Sequence, residues 1–536
     1  MNAPPARARL FAGQPAAPGL VLGRVVQLAN GARTSAPGPA GSERELVQAV
    51  AEAASQLRDL MTRCAAEARK ILEFQVEFLS DPVLLEPAQE AIATGTDAST
   101  AWRAVIDVHI ADFEASTDDY FRHRSGDLRD MRARVLALLA GDDIGPLRLP
   151  ERAILLADDL EPSRFLATPW GTNHAIALRG GSPTAHVALL ARARRVPMVV
   201  GVGDVAVHGE CTAIVDGSKG TLVLEPDEDQ VAGFARTRAR LAATQIDETA
   251  AAVRPARTAS GERVDVLLNI ASLGELAAID PAICDGIGLV RTELLFAQGP
   301  PDEESQLAYY ERILRWAGAR PVIVRTLDAG GDKPMPGVTI DGEGNPFLGV
   351  RGVRLSFAAP DLFKVQLRAL LRAAAAGNLR VLVPMITAAE EVQRVRALLA
   401  QAAAELAARG VPHAMPPLGI MIEVPAAALA LDTFAVDFAS IGSNDLLQYT
   451  MAAARDNPAV TPLTDPRHPG FVRLLQTIVQ SAAARTLPLS LCGDLAAQPE
   501  HIPLLLSAGL RTLSMPAAAV GAVKRAIAAW PAGGGD

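Results

Sequence analysis

Eight short apolar runs alternate with helical stretches from Gly261 to the C-terminus, and that alternation leaves the second half of the chain very few folds. The runs are VDVLLNI, GIGLVRTE, PVIVRTLD, LRVLVPMI, LGIMIE, FASIGSNDL, LPLSLCGD and RTLSMP. Amphipathic segments such as EESQLAYYERILRWAG and LFKVQLRALLRAAAAG separate them. A parallel strand covered on both faces reads as a continuous apolar run, and its chain must return through a helix. Eight such units over residues 261–536 predict a (β/α)8 TIM-type barrel, although periodicity alone also admits an open sheet.

The residues that end these runs are polar in a way that favours the barrel, because barrel strands deliver their C-terminal ends to one mouth. The second run ends in Arg291, the third in Arg325 and Asp328, and the fifth in Glu423. The sixth ends in Asn444 and Asp445, and the seventh in Cys492. Arg351 follows the third strand in NPFLGVRGVR, and Arg455 follows the sixth in MAAARDN. Arginines aimed at one point repel unless they share an anion, and guanidinium groups hold carboxylates and phosphates in bidentate fashion. A substrate carrying both groups is therefore expected. Glu423 and Asp445 offer hard oxygen ligands of the kind Mg2+ uses when water and substrate complete its shell. Singly, each arginine reads as a surface salt-bridge partner and Cys492 as a small buried hydrophobe.

The first half is built differently. A Pro/Ala-rich leader runs into GLVLGRVVQL, one expected strand that pairs with strands much later in sequence. SERE at Ser42 is a capping box, and Leu46, Val50, Ala53, Leu57, Leu60 and Cys64 recur at helical spacing. Helical segments continue to about Gly141. Strand-like runs return at AILLADDL, HAIAL, VPMVVGV, TAIVDG and TLVLEP. Among them lies LRGGSPTAHVALLARAR, where Gly180 to Pro183 form a loop and Thr184 is expected to cap a helix begun by Val187. His186 thus stands at a loop-to-helix junction, a setting that suits an imidazole accepting a phosphoryl group. Taken alone, it reads equally as a structural histidine near a turn. The polar helical stretch after Asp227 reads as a linker on which the first half swivels.

Composition sets outer limits. No apolar run approaches bilayer length and the N-terminus lacks a secretory pattern, so a cytoplasmic protein without membrane insertion is expected. A net charge of −9 speaks against bulk nucleic-acid binding. Cys64, Cys211, Cys284 and Cys492 form no CxxC pair and are expected to be free thiols. Residues 42–143 hold 20 acidic against 11 basic side chains, so the whole-chain excess sits on the helical insert. Either a solvated helix face or a docking site for a basic partner accounts for it.

GLVRTELLF, VIVRTLDAGGDKP, NPFLGVRGVRLS, MIEVPAA, SIGSNDLLQYT and SLCGDLA, in that order behind GG…H…AR, resemble enzyme I of the bacterial phosphoenolpyruvate:sugar phosphotransferase system. The likeness runs from about Phe11 to Pro516. It implies a multidomain α/β protein: a swivelling phosphohistidine domain (1–30 and 145–225), an inserted helical carrier-binding domain (31–144), a helical linker (226–260) and a barrel (261–536) that binds phosphoenolpyruvate (PEP) and dimerises. By the same resemblance PEP phosphorylates His186, which passes the group to an HPr-like phosphocarrier and leaves pyruvate. Arg291, Arg325, Arg351, Asn444, Asp445 and Arg455 would bind PEP, Glu423 and Asp445 would hold Mg2+, and Cys492 would donate a proton. The chain departs from the family pattern in GGSPTAH, one residue longer than usual with Ala185 before the histidine, and in Asp494 where Glu is commoner. Related dikinases and PEP synthases need a further nucleotide-grasp domain, for which there is no room. A catalytically idle, PEP-sensing paralogue is the alternative of another class.

Overall fold

The computed structural model describes residues 8–28, 42–64, 66–116, 119–142, 145–207, 209–296, 299–331, 335, 338–339, 342–455, 457 and 459–531. Residues 30, 31, 144 and 536, at the expected domain boundaries, lie outside these, as do Asp332, Lys333 and Pro334 of the VIVRTLDAGGDKP motif. The chain divides into two compact units, 1–241 and 242–536.

The first unit is organised on an eight-stranded sheet. Its strands are β1 (Arg9–Ala12), β2 (Gln14–Ala17), β3 (Leu20–Gln27), β4 (Ala153–Ala157), β5 (Ala175–Leu178), β6 (Met198–Val200), β7 (Thr212–Asp216) and β8 (Thr221–Leu224), in the order β1-β8-β7-β3-β4-β5-β6-β2. GLVLGRVVQL supplies β3, which pairs with β4 and β7 as its late partners. The leader was expected to carry no strand but holds two: β1 pairs with β8 at one edge and β2 with β6 at the other. Their short runs, RLFA and QPAA, carry no alternating pattern, and cross-strand pairing rather than propensity makes them extended.

Five helices follow β3: α1 (Glu43–Met61), α2 (Ala66–Leu79), α3 (Glu86–Ala93), α4 (Ala98–Ala115) and α5 (Asp119–Ala140). The capping box forms as read, with the Ser42 amide donating to Glu45 Oε2 at 2.7 Å. Leu46, Val50, Ala53 and Leu57 are buried on one stripe of α1. These helices share one apolar core with α6 (Pro162–Ala167), α7 (His186–Arg194) and one face of the sheet, through Leu155, Ile176, Leu178 and Met198. Alternate strand residues such as Ile154, Leu156 and Ala177 face a second core. Helix α8 (Glu228–Ala252) ends in the second unit.

The second unit contains a closed barrel of eight parallel strands, which excludes the open sheet. They are β9 (Asp265–Ile270), β10 (Gly286–Val290), β11 (Val322–Arg325), β12 (Leu379–Val383), β13 (Leu418–Ile422), β14 (Phe438–Gly442), β15 (Leu489–Cys492) and β16 (Thr512–Met515), one for each apolar run. Leu289, Ile323, Leu382, Met421, Phe438 and Cys492 form the inner cluster, while neighbours such as Val322, Val324, Val381 and Ile420 pack outward against helices. Among the described residues no helix is long and apolar enough to cross a membrane.

Candidate active site

Arg351 is the centre of the barrel mouth. It is fully buried, and its guanidinium reaches both oxygens of Asp328 (3.2 and 3.3 Å), both of Asp445 (3.4 Å each) and the Tyr449 hydroxyl (3.2 Å). Arg325, at the end of β11, pairs with Asp328 at 3.2 Å and with Glu293. Arg455 Nη1 lies 3.7 Å from Asp445. Burial alone would lower the pKa of Arg325 and Arg351, but the surrounding acids outweigh it and hold both above their ordinary value. The expectation that these arginines need a shared ligand to coexist is thereby corrected: the protein's own carboxylates already neutralise them.

Glu423, just beyond β13, is 1% exposed and takes the Met385 amide at 2.6 Å. Burial, with Asp445 and Asp328 nearby, pushes its carboxyl up to about 8 against the pull of Arg325 and Arg351. Gly442 is needed beside it, since a Cβ there would stand 2.9 Å from Glu423 Oε2. Crowded carboxyls that resist ionising together fit a cation site. Among the described residues no three acidic, histidine or cysteine side chains converge as a ligand set. A site of two carboxylates completed by water and substrate is the arrangement these residues fit.

Cys492 ends β15 inside the barrel. Ser440 Oγ donates to its sulfur at 3.5 Å, and the thiol reaches the Ile441 carbonyl at 3.5 Å. Burial pushes the thiol up, against the Ser440 hydrogen bond and the Arg325 charge. All four cysteines are free and buried. Gly493 follows with φ +115°, a left-handed conformation in which a Cβ would strike the Ser443 hydroxyl.

Two expected residues lie apart from this cluster. Arg291 stands exposed one residue beyond β10, although its charge is felt at Cys492. Asn444 turns to Asp494, donating to its carboxylate at 3.1 Å and accepting its amide at 2.9 Å, in a cavity of ≈200 Å³ that Arg455 also lines.

In the first unit, α7 begins at His186, one residue earlier than expected. Its cap is Ala185, whose methyl group can make no capping hydrogen bond, and the Thr184 hydroxyl pairs with Ser182 Oγ at 2.9 Å instead of capping. His186 Nδ1 lies 3.0 Å from Asp127 Oδ1, with the ring 18% exposed and the carboxylate wholly buried. Arg124 grips the other oxygen of Asp127 at 3.0 Å. Helix α5 is fixed in turn by Asp130, which accepts from the Ser163 amide (2.8 Å), the Ser163 hydroxyl (2.7 Å) and Gln75 (3.2 Å). Arg134 reaches Ser163 at 2.6 Å and Gln56 at 2.9 Å. Beside His186 opens a cavity of ≈700 Å³ whose acidic lining includes Asp158, Asp159 and Glu161.

Sequence reasoning assigned no role to Asp127, Glu293, Asp328 or Tyr449. Signals existed for some: Tyr449 stands one helical turn after Asp445, and Asp127, Asp130 and Arg134 share a face of α5.

Comparison with known proteins agrees along the length of the chain. Residues 12–124 match the N-terminal, 149–220 the mobile and 246–531 the PEP-binding domain of PEP-utilising enzymes. A phosphoenolpyruvate-protein phosphotransferase of Haloferax volcanii is 39% identical over 479 residues, covering 87% of this chain and 83% of its own. One from Listeria monocytogenes is 36% identical, covering 84% and 80%. A Salmonella typhimurium protein called phosphoenolpyruvate-dependent phosphotransferase system is 37% identical over 90% of this chain and 66% of its own. With eight strands closed on an acid-neutralised arginine cluster and the matches spanning both units, the chain belongs to the phosphoenolpyruvate-protein phosphotransferase family, enzyme I of the phosphotransferase system.

Proposed function

We propose that His186 is the residue this enzyme phosphorylates from PEP, and that an HPr-like phosphocarrier then receives the group. The observation that carries the reading is the contact between His186 Nδ1 and Asp127. An Nδ1–H donated to that carboxylate leaves the lone pair on Nε2, the ring nitrogen that attacks phosphorus. The P–O bond to the enol oxygen breaks as the P–N bond forms, and pyruvate enolate remains.

In the barrel, Arg291, Arg325, Arg351, Asn444, Asp445 and Arg455 bind PEP, the guanidinium groups matching phosphate and carboxylate. Phosphoryl transfer asks for positioning and charge neutralisation more than covalent work. Glu423 and Asp445 would hold Mg2+, which when bound supplies further charge neutralisation for the phosphate. Cys492 gives its proton to C3 of the enolate; a thiol kept protonated by burial is suited to that task, whereas a guanidinium is not. The acidic helical segment 31–144 docks the carrier, segment 226–260 is the pivot of a swivelling phosphohistidine domain, and the barrel (261–536) mediates a homodimer. The enzyme works in the cytoplasm at the head of a phosphoryl relay, whether that relay feeds sugar uptake, a nitrogen-regulatory branch or dihydroxyacetone phosphorylation.

Incubation of the intact protein with PEP labelled on phosphorus and Mg2+ tests the reading. The label should bind covalently, survive alkali, be lost in acid and be absent from His186→Ala. Label retained by that variant would overturn the assignment.

A further inference from the structure

A donor that gives away its only proton must be recharged, and Cys492 is buried inside the barrel among Leu289, Ile323, Leu382, Met421 and Phe438. Two hydroxyls interrupt that interior beside the thiol. Ser440 and Ser490 face each other across the β14–β15 pair, and Cys492 lies two residues beyond Ser490 on the same strand. Ser440 is wholly buried and Ser490 only 5% exposed. Burying a hydroxyl in such surroundings is unfavourable unless it is bonded. Here both are bonded, and only in single file: Ser490 Oγ donates to Ser440 Oγ at 3.0 Å, and Ser440 Oγ donates to Cys492 Sγ at 3.5 Å. The file begins at an open cavity. Ser490 lines a cavity of ≈350 Å³ at the N-terminal mouth of the barrel, together with Arg263, Asp265, Asp285, Arg380 and Thr512. The side chains of Arg263 and Asp265 there are 55% and 44% exposed, so this end is open to solvent.

We propose that Ser490 and Ser440 are a hydroxyl relay returning a proton to Cys492 from water at the N-terminal mouth, opposite the mouth where PEP binds. The inference rests on the reading of Cys492 as the proton donor. Once the thiol has protonated the enolate, its sulfur is a thiolate. The Ser440 O–H bond breaks as the S–H bond forms, Ser440 takes the proton of Ser490, and Ser490 takes one from cavity water, leaving hydroxide to the solvent. One proton enters and no electron changes hands. The relay resets the thiol while pyruvate still fills the C-terminal mouth. Ser440 and Ser490 act through Cys492 and are positioning residues.

Two isotopes followed on the intact protein with PEP, pyruvate and Mg2+, without carrier, separate this role from a structural one. Radiocarbon passing from pyruvate into PEP requires the thiol only to give and retake a proton. Tritium leaving pyruvate C3 for water requires the sulfur to trade that proton with solvent. Ser490→Ala and Ser440→Ala should each lower the ratio of tritium release to radiocarbon exchange by about a hundredfold or more, the ~10²–10⁴ that positioned proton transfer supplies. Ser490→Thr, which keeps a hydroxyl, should restore it. A smaller fall in both alanine variants overturns the relay. The unaltered protein gives an independent reading: tritium release in H2O–D2O mixtures should curve, because several protons move together, and a linear dependence overturns the relay. Loss of the Cys492 reading is seen separately, as radiocarbon exchange that persists in Cys492→Ala.

Discussion

Arg351 is fixed by two carboxylates and a phenol with none of its surface open, whereas His186 is fixed by one carboxylate and keeps 18% of its side chain exposed. The barrel mouth is held redundantly: Asp328 serves both Arg325 and Arg351, and Asp445 serves both Arg351 and Arg455. The imidazole has no such insurance, and its single anchor stands on a different helix from its own. Redundancy suits a site that must recognise one substrate in one geometry. A single anchor fixes one ring nitrogen and leaves the other open.

Breaking the redundant side should cost most. Arg351→Met leaves Asp328 and Asp445 buried without their main partner, and a broken buried pair typically costs about 3–5 kcal/mol. Denaturant unfolding should show that loss in the second unit, with phosphorylation from PEP abolished. Unfolding within 1 kcal/mol of wild type would mean the mouth does not need Arg351 for its fold.

On the sparing side the effect should be kinetic. Asp127→Asn keeps the shape but no longer dictates which ring nitrogen carries the proton. Phosphorylation of His186 should slow by at least roughly 10- to 100-fold, the cost typical of removing the carboxylate behind a metal-binding imidazole. PEP binding should be untouched, and barrel unfolding unchanged. A proportionate loss of PEP binding would show that the two sites are not separable in this way.

A third effect, on stability against pH, follows from Glu423. Its carboxyl is pushed from an ordinary 4.5 up to about 8, so the folded state binds more protons than the unfolded chain between those values. Stability is therefore fully present below 4.5 and declines as pH rises toward 8. In a chelator the second unit should melt at falling temperatures over that window, and Mg2+ at the upper end should restore it. Glu423→Gln should flatten both responses. A melting temperature that rises with pH would contradict the sign.

Much of this was legible because barrel strands are read twice, as apolar runs and through the polar residues that end them. Each of the eight runs became a strand, and Arg325, Arg351, Glu423 and Asp445 met at one mouth. What escaped was which acids neutralise the arginines, although Asp328 itself was read at a strand end. Glu293 and Asp328 sit within the same motifs as the arginines, but a carboxylate that satisfies a guanidinium looks in sequence like any other acid. Asp127 was hidden for another reason: it lies on α5, in an insert whose acid excess reads as solvated surface, yet its side chain is wholly buried. Strands β1 and β2 were missed because four-residue edges owe their conformation to partners some two hundred residues away. The expected Thr184 cap failed because Ser182 claims its hydroxyl locally.

Those first strands carry a consequence for how the protein is made. Only Gly13 separates β1 from β2, yet one pairs with β8 and the other with β6, at opposite ends of the strand order. One short stretch of chain thus supplies both edge strands of the sheet. During synthesis, however, Arg9 to Ala12 emerge some two hundred residues ahead of their partners, Thr221 to Leu224. The leading strand must wait, unpaired, while the helical insert folds behind it. A ribosome paused before Leu224 would carry a nascent chain with an open β edge, and that is the interval in which a chaperone has most to protect.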